Sequence, residues 1–178
     1  MSGESNTIAT KIELLIDQTG SYANCLWSTR VMESGKHRMS LKLMKGEIGC
    51  LIHFFGLVRD GAAWDKEHHL KESTDAWYMH SGGSLYGNGK YFDDEAARIK
   101  EGQIVSMEAD LDKGTLRFWV DGKQHGPGYM SGVEGRVRWA VAVFRKGGAA
   151  EIVPTPELQP WSASWVPPES DEESDEES

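Results

Sequence analysis

The sequence predicts an all-β fold, a two-layer antiparallel β-sandwich, followed by an extended proline-rich segment and a disordered acidic tail. Three observations carry this. Short runs in which apolar and polar residues alternate recur up to residue 153, and that spacing turns one strand face to a core and the other to water. Glycine-containing turn sequences separate the runs, with almost nothing that reads as helix. After residue 153 prolines replace the alternation, and the last ten residues, ESDEESDEES, have nothing to bury.

In chain order, residues 1–10 read as a flexible N-terminus and Lys11–Ile16 as a first strand, ended by the turn-prone Asp17-Gln18-Thr19-Gly20. Cys25–Val31 and Lys36–Met44 follow, parted by Glu33-Ser34-Gly35; Met39, Leu41 and Leu43 alternate with Ser40, Lys42 and Met44. Gly49–Val58 is a longer apolar run, the pattern of a strand buried on both faces. Residues 59–75 break the rhythm, and a connection of that length in a compact domain is often functional.

Ala76–His80 resumes as a short aromatic strand, and the turns Ser81-Gly82-Gly83 and Gly87-Asn88-Gly89 bracket Leu85 and Tyr86. Asp93–Lys100 reads as one or two helical turns. Gln103–Leu111 and Thr115–Val120 form a hairpin through Asp112-Lys113-Gly114, with Gly114 left-handed. Asp121-Gly122 is a two-residue turn into residues 123–126. Val137–Phe144 and Ala149–Val153 close the sandwich, assigned to 11–153, around the turn Lys146-Gly147-Gly148. The proline-rich segment, 154–168, should lie extended over the surface, pinned by Trp161 and Trp165, with the acidic tail at 169–178.

Composition narrows the function classes. The 178 residues suit one domain with a hydrophobic core. Formal net charge is -9, yet seven of the 28 acids lie in 169–178, which leaves 21 acids against 19 bases and a charge of -2 on the rest. Neither part offers a basic footprint for nucleic acid. Cys25 and Cys50 sit in apolar runs and read as buried reduced thiols. The N-terminus has no apolar signal core, and no apolar run is long enough to span a bilayer. The expectation is a monomeric intracellular domain, cytoplasmic or nuclear, without membrane contact.

Val105 to Gly122, read as a strand ending in Asp110-Leu111-Asp112, a tight turn, Leu116-Arg117-Phe118 and then Asp121-Gly122, resembles the SPRY domain family. Three further segments match it in order: Gly35-Lys36-His37-Arg38-Met39, Phe55-Gly56-Leu57-Val58, and Ala76-Trp77 through Gly89-Lys90. The resemblance spans about residues 10–153, nearest to the SPRY-and-SOCS-box adaptors, though no SOCS box reads after residue 153. Met39 stands where the family has Trp, Tyr78 follows Trp77 in place of Gly, and Arg138-Trp139-Ala140-Val141 lacks a preceding Pro.

The resemblance implies a non-catalytic adaptor or scaffold that recognises a peptide or protein loop through loops at one edge of the sandwich. Its implied binding residues are Tyr22, Arg59, Asp60, Trp64, Phe144 and Arg145. A second reading is a structural subunit of a nuclear chromatin or RNA-processing complex that contacts basic partners through the acidic tail. Ser170 and Ser174, each followed by Asp-Glu-Glu, have the context of acidophilic kinases, and phosphorylation would add charge to an already negative segment.

Nothing in the sequence points to a catalytic centre, metal or cofactor. Glu67-His68-His69 lacks the spacing of a metal motif and reads as a solvated loop. Asp110-Leu111-Asp112 reads as a hairpin turn, because strand follows it where a calcium loop would continue with oxygen ligands. No phosphate-binding glycine loop is present.

Overall fold

The computed structural model describes residues 11–13, 24–28, 30–43, 52–61, 74–80, 83–87, 90–92, 98–143 and 149–166. Among them the chain forms β1 (Lys11–Glu13), β2 (Asn24–Trp27), β3 (Lys36–Leu43), β4 (Ile52–Arg59), β5 (Ala76–His80) and β6 (Leu85–Gly87). β7 (Lys90–Phe92), β8 (Ile104–Asp110), β9 (Thr115–Val120), β10 (Lys123–Gln124), β11 (Val137–Val143) and β12 (Ala149–Val153) follow. They make two six-stranded sheets, β1-β12-β3-β8-β9-β10 and β2-β11-β4-β5-β6-β7, antiparallel throughout. The all-β sandwich expected from the alternation is the architecture observed.

The alternation also places the core. Leu41 and Leu43 on β3, Val105, Met107 and Ala109 on β8, and Leu116, Phe118 and Val120 on β9 form the inner face of the first sheet, all buried. Phe55 and Leu57 on β4, Trp77 and Met79 on β5, and Trp139 and Val141 on β11 answer them from the second. Met39 is partly buried and packs against this cluster. Phe55, Gly56, Leu57 and Val58 are buried without a break, as the uninterrupted apolar run of β4 demands.

The turns show where local chemistry decides structure. Asp121 and Gly122 have φ of 50 and 79, the paired positive values of a type I′ turn, and Val120 faces Lys123 across it. The β8–β9 connection is one residue longer than the sequence predicts: the ladder closes at Asp110↔Thr115, and Leu111 joins the turn. Gly114 is left-handed there, at φ 73. Asp110 Oδ1 accepts from the amides of Asp112 (3.1 Å) and Lys113 (3.0 Å), and Asp112 Oδ1 accepts from Gly35 N (3.0 Å), so both carboxylates serve the backbone.

Three expectations need revision. β7 was not foreseen, since three residues are too few to show a period. Gly87, expected in a turn, is the last residue of β6 and pairs with Trp77. Of the weakly helical 93–100, residues 93–97 lie outside the described residues and 98–100 are not helical. The outer parts of the first strand expectation, Leu14 to Ile16, also lie outside them.

On the outer face of the first sheet Ser40, Ser106 and Glu108 are polar yet buried. Register aligns Ser40, Ser106 and Trp119 in one row, and Arg38, Glu108 and Arg117 in the next. Glu108 is 3% exposed and takes Arg38 Nε at 2.6 Å and Arg117 Nη1 at 3.8 Å. The cover is the chain itself. After β12, residues 154–166 run without regular structure across this face, a strap that passes Ser40 at Thr155 and reaches Gln124 on β10 at Ser162.

Candidate functional site

Inward-facing residues alternate along β4 as Phe55, Leu57 and then Arg59, so the row that fills the core ends in a cation at the rim of the sandwich. Its guanidinium lies 5.0 Å from the centroid of the buried Trp77 ring, a cation–π stack that closes that end of the core. Arg59 N donates to Asp75 O at 2.7 Å, and Arg59 Nε faces Asp75 Oδ1 at 3.7 Å, so the two ends of the 60–75 connection meet here.

Asp60, the next residue, is clamped. Arg138 reaches its Oδ1 with Nε at 2.9 Å and Nη2 at 2.8 Å, and Arg136 Nη2 stands 3.6 Å from Oδ2. Arg138 Nη1 also donates to Ser28 O (3.0 Å), while Arg136 Nε pairs with Glu33 at 3.1 Å. Asp60 N donates to Arg136 O at 2.8 Å. Four segments that are remote in sequence are thereby tied together: the end of β2, residues 30–33, the end of β4 and the start of β11. Asp60 and Arg138 are half-buried, whereas Arg136 and Glu33 are each about three-fifths exposed, at 62% and 61%.

This geometry assigns different work to the two candidates the structure describes. Both carboxylate oxygens of Asp60 already face arginines, so it positions the rim. Arg59 shields Trp77 and retains partial exposure, 36% of its side chain. Glu33, Asp75, Arg136 and Arg138 are not marked as binding residues by the sequence, because only the fold brings Arg136 and Arg138 to Asp60, Glu33 to Arg136 and Asp75 to Arg59.

Tyr22, Trp64, Phe144 and Arg145 lie outside the described residues, as do Ser170 and Ser174. The strand ends that adjoin the first four in sequence fall at two places. Arg59 pairs with Val137 at one end of the sheet. Val143 pairs with Ile52 and with Asn24 at the other. Ile52 and Arg59 lie seven steps apart along the eight-residue β4, roughly 23 Å in an extended strand. The connection after Asp60 therefore starts at one end of the sandwich, and the connections before Asn24 and after Val143 at the opposite end.

Among the described residues no group of three or more His, Cys, Asp or Glu side chains converges as metal ligands would. No helix among them is long and apolar enough to cross a membrane.

No family model and no curated protein matches this sequence. Solved structures do match the fold. The SPRY domain of human HERC1 superposes with a TM-score of 0.62 at 16% identity, covering 74% of this chain and 82% of that one. The TRIM65 PSpry domain gives 0.57 at 14% identity, covering 82% of each chain. With two antiparallel sheets, the β8–β9 hairpin and the I′ turn that follows it in place, this chain has the fold of the SPRY domains.

Proposed function

We propose that this chain is a non-catalytic protein-interaction module, an adaptor or scaffold that recognises a peptide or protein loop through the loops at the Arg59–Asp60 end of the sandwich. The observation that carries this reading is the rim itself. Asp60, with Arg138 and Arg136, fixes four chain segments against one another, and a binding surface gains affinity when its backbone is ordered before the partner arrives. Exposed Arg136 and Glu33 and partly exposed Arg59 present both charge signs on this base, and arginine is the cation most enriched at interface centres. The solved SPRY domains contribute the fold alone to this argument, and the residues contribute the rest.

The test is affinity capture with the full chain, Arg59→Ala, Trp64→Ala, Phe144→Ala and a chain ending at residue 168. Partners of the full chain should be lost with Arg59→Ala and Trp64→Ala and retained by the other two. Loss only with the shortened chain would transfer recognition to the acidic tail and overturn the proposal. Loss only with Phe144→Ala would move it to the other end of the sandwich.

A further inference from the structure

The strap across the first sheet is gripped in the way a bound peptide is gripped. Gln124, only 8% exposed, holds the backbone of Ser162 from both sides: Nε2 donates to Ser162 O at 2.8 Å, and Ser162 N donates to Oε1 at 2.7 Å. Trp119 Nε1 donates to Gln159 O (2.8 Å), Gln159 N donates to Gly122 O (2.7 Å), and Gln159 Oε1 accepts from Gln124 N (2.9 Å). The Trp161 ring sits edge-on to Trp119, 5.3 Å between centroids at 68°, with the Arg117 guanidinium 5.4 Å from its own centroid. Fixed side chains reading main-chain groups, with an aromatic slot beside a proline, are the elements by which extended proline-containing peptides are recognised.

The floor of this groove is shaped to its occupant. A Cβ on Gly122 would lie 2.5 Å from Glu157 O, and one on Gly128 would lie 3.0 Å from the Trp161 ring. The occupant is nonetheless an imperfect one. Arg117 Nε and Trp161 Nε1 are buried without an acceptor among the described residues, a cost that a ligand supplying one would not carry. The tether between β12 and Glu157 is short and proline-flanked, Pro154-Thr155-Pro156, and Thr155 Oγ1 accepts from Ser40 Oγ at 2.9 Å.

We propose that the outer face of the first sheet is a second peptide-binding site, distinct from the Arg59–Asp60 rim. Residues 157–162 are its resident, tethered ligand. A separate extended peptide with a Gln-Pro-Trp core takes their place whenever the resident is weakened. Tethering gives the resident an effective concentration on the order of millimolar, so the intact chain excludes a free peptide at lower concentrations. Displacement would free the strap.

The experiment uses the full-length chain and a fluorescent synthetic peptide of residues 154–166, read by anisotropy. Trp161→Ala in the chain weakens the resident and leaves the groove intact. It should bind the peptide at least about ten-fold more tightly than the unsubstituted chain does. A peptide carrying the same Trp161→Ala change should not bind, and adding Gln124→Ala to the Trp161→Ala chain should abolish binding. Cooperative thermal unfolding verifies that each chain is folded. If Trp161→Ala fails to fold, Gln159→Ala replaces it in the same comparison. A folded, strap-weakened chain that shows no saturable binding, or binding that survives Gln124→Ala, overturns the proposal. No arm of the test touches the rim, so its failure leaves the interaction reading standing.

Discussion

At the scale of single residues, the structure separates what adjacent sequence dictates from what register creates. Asp121-Gly122 was legible because a I′ turn asks for two residues that tolerate positive φ, and both have it. The clamp on Asp60 was not legible: its partner Arg138 lies 78 positions away and reaches it only because β4 and β11 pair as they do. Removing that carboxylate takes away the 2.8 Å ion pair of the half-buried Arg138 guanidinium with Asp60, and we expect Asp60→Ala to destabilise by about 1–3 kcal/mol. Asp60→Asn, which keeps one acceptor, should cost less, and urea denaturation of the two variants orders them. Gly122→Ala meets two obstacles at once, a left-handed φ of 79 and Glu157 O at 2.5 Å from the new Cβ. Its expected cost is about 1–3 kcal/mol. A cost below about 0.5 kcal/mol would show that the strap does not press on this turn.

Among the elements, the strap departs furthest from what a sequence pattern conveys. The prolines of residues 154–160 say that the segment adds no strand to a sheet. They do not say which face it crosses, because its anchors, Gln124 and Trp119, lie 38 and 40 positions from their partners. The same geometry explains why Glu108, Ser106 and Ser40 are buried on what the alternation marks as a solvent face. A polar row under a cover must be hydrogen-bonded. Arg38 serves Glu108, and the hydroxyls of Ser40, Ser106 and Thr155 serve one another. Trp161→Ala should therefore lower the thermal midpoint measurably and raise amide exchange in 157–162 and at Gln124, with β4, β5 and β11 unaffected. Uniform acceleration across both sheets would mean that the strap holds the whole sandwich together and not one face of it.

For the molecule as a whole, strand alternation, turn chemistry and the four ordered motifs made the sandwich and its family likeness readable, since each is local. That the strand ends adjoining the candidate residues fall at two ends of the sheet was not readable, because it depends on the antiparallel order β2-β11-β4. Residues 169–178 carry seven acids and no apolar side chain, so a chain ending at residue 168 should unfold at the same midpoint as the full chain. The central claim is that a partner is recognised at the rim built on Arg59 and Asp60. The most direct measurement is backbone amide exchange of the full chain with and without a captured partner. The account predicts protection concentrated at residues 59–61, 74–76 and 135–138. Protection confined to 169–178, or to 24–27 and 141–143 at the opposite end, would contradict it.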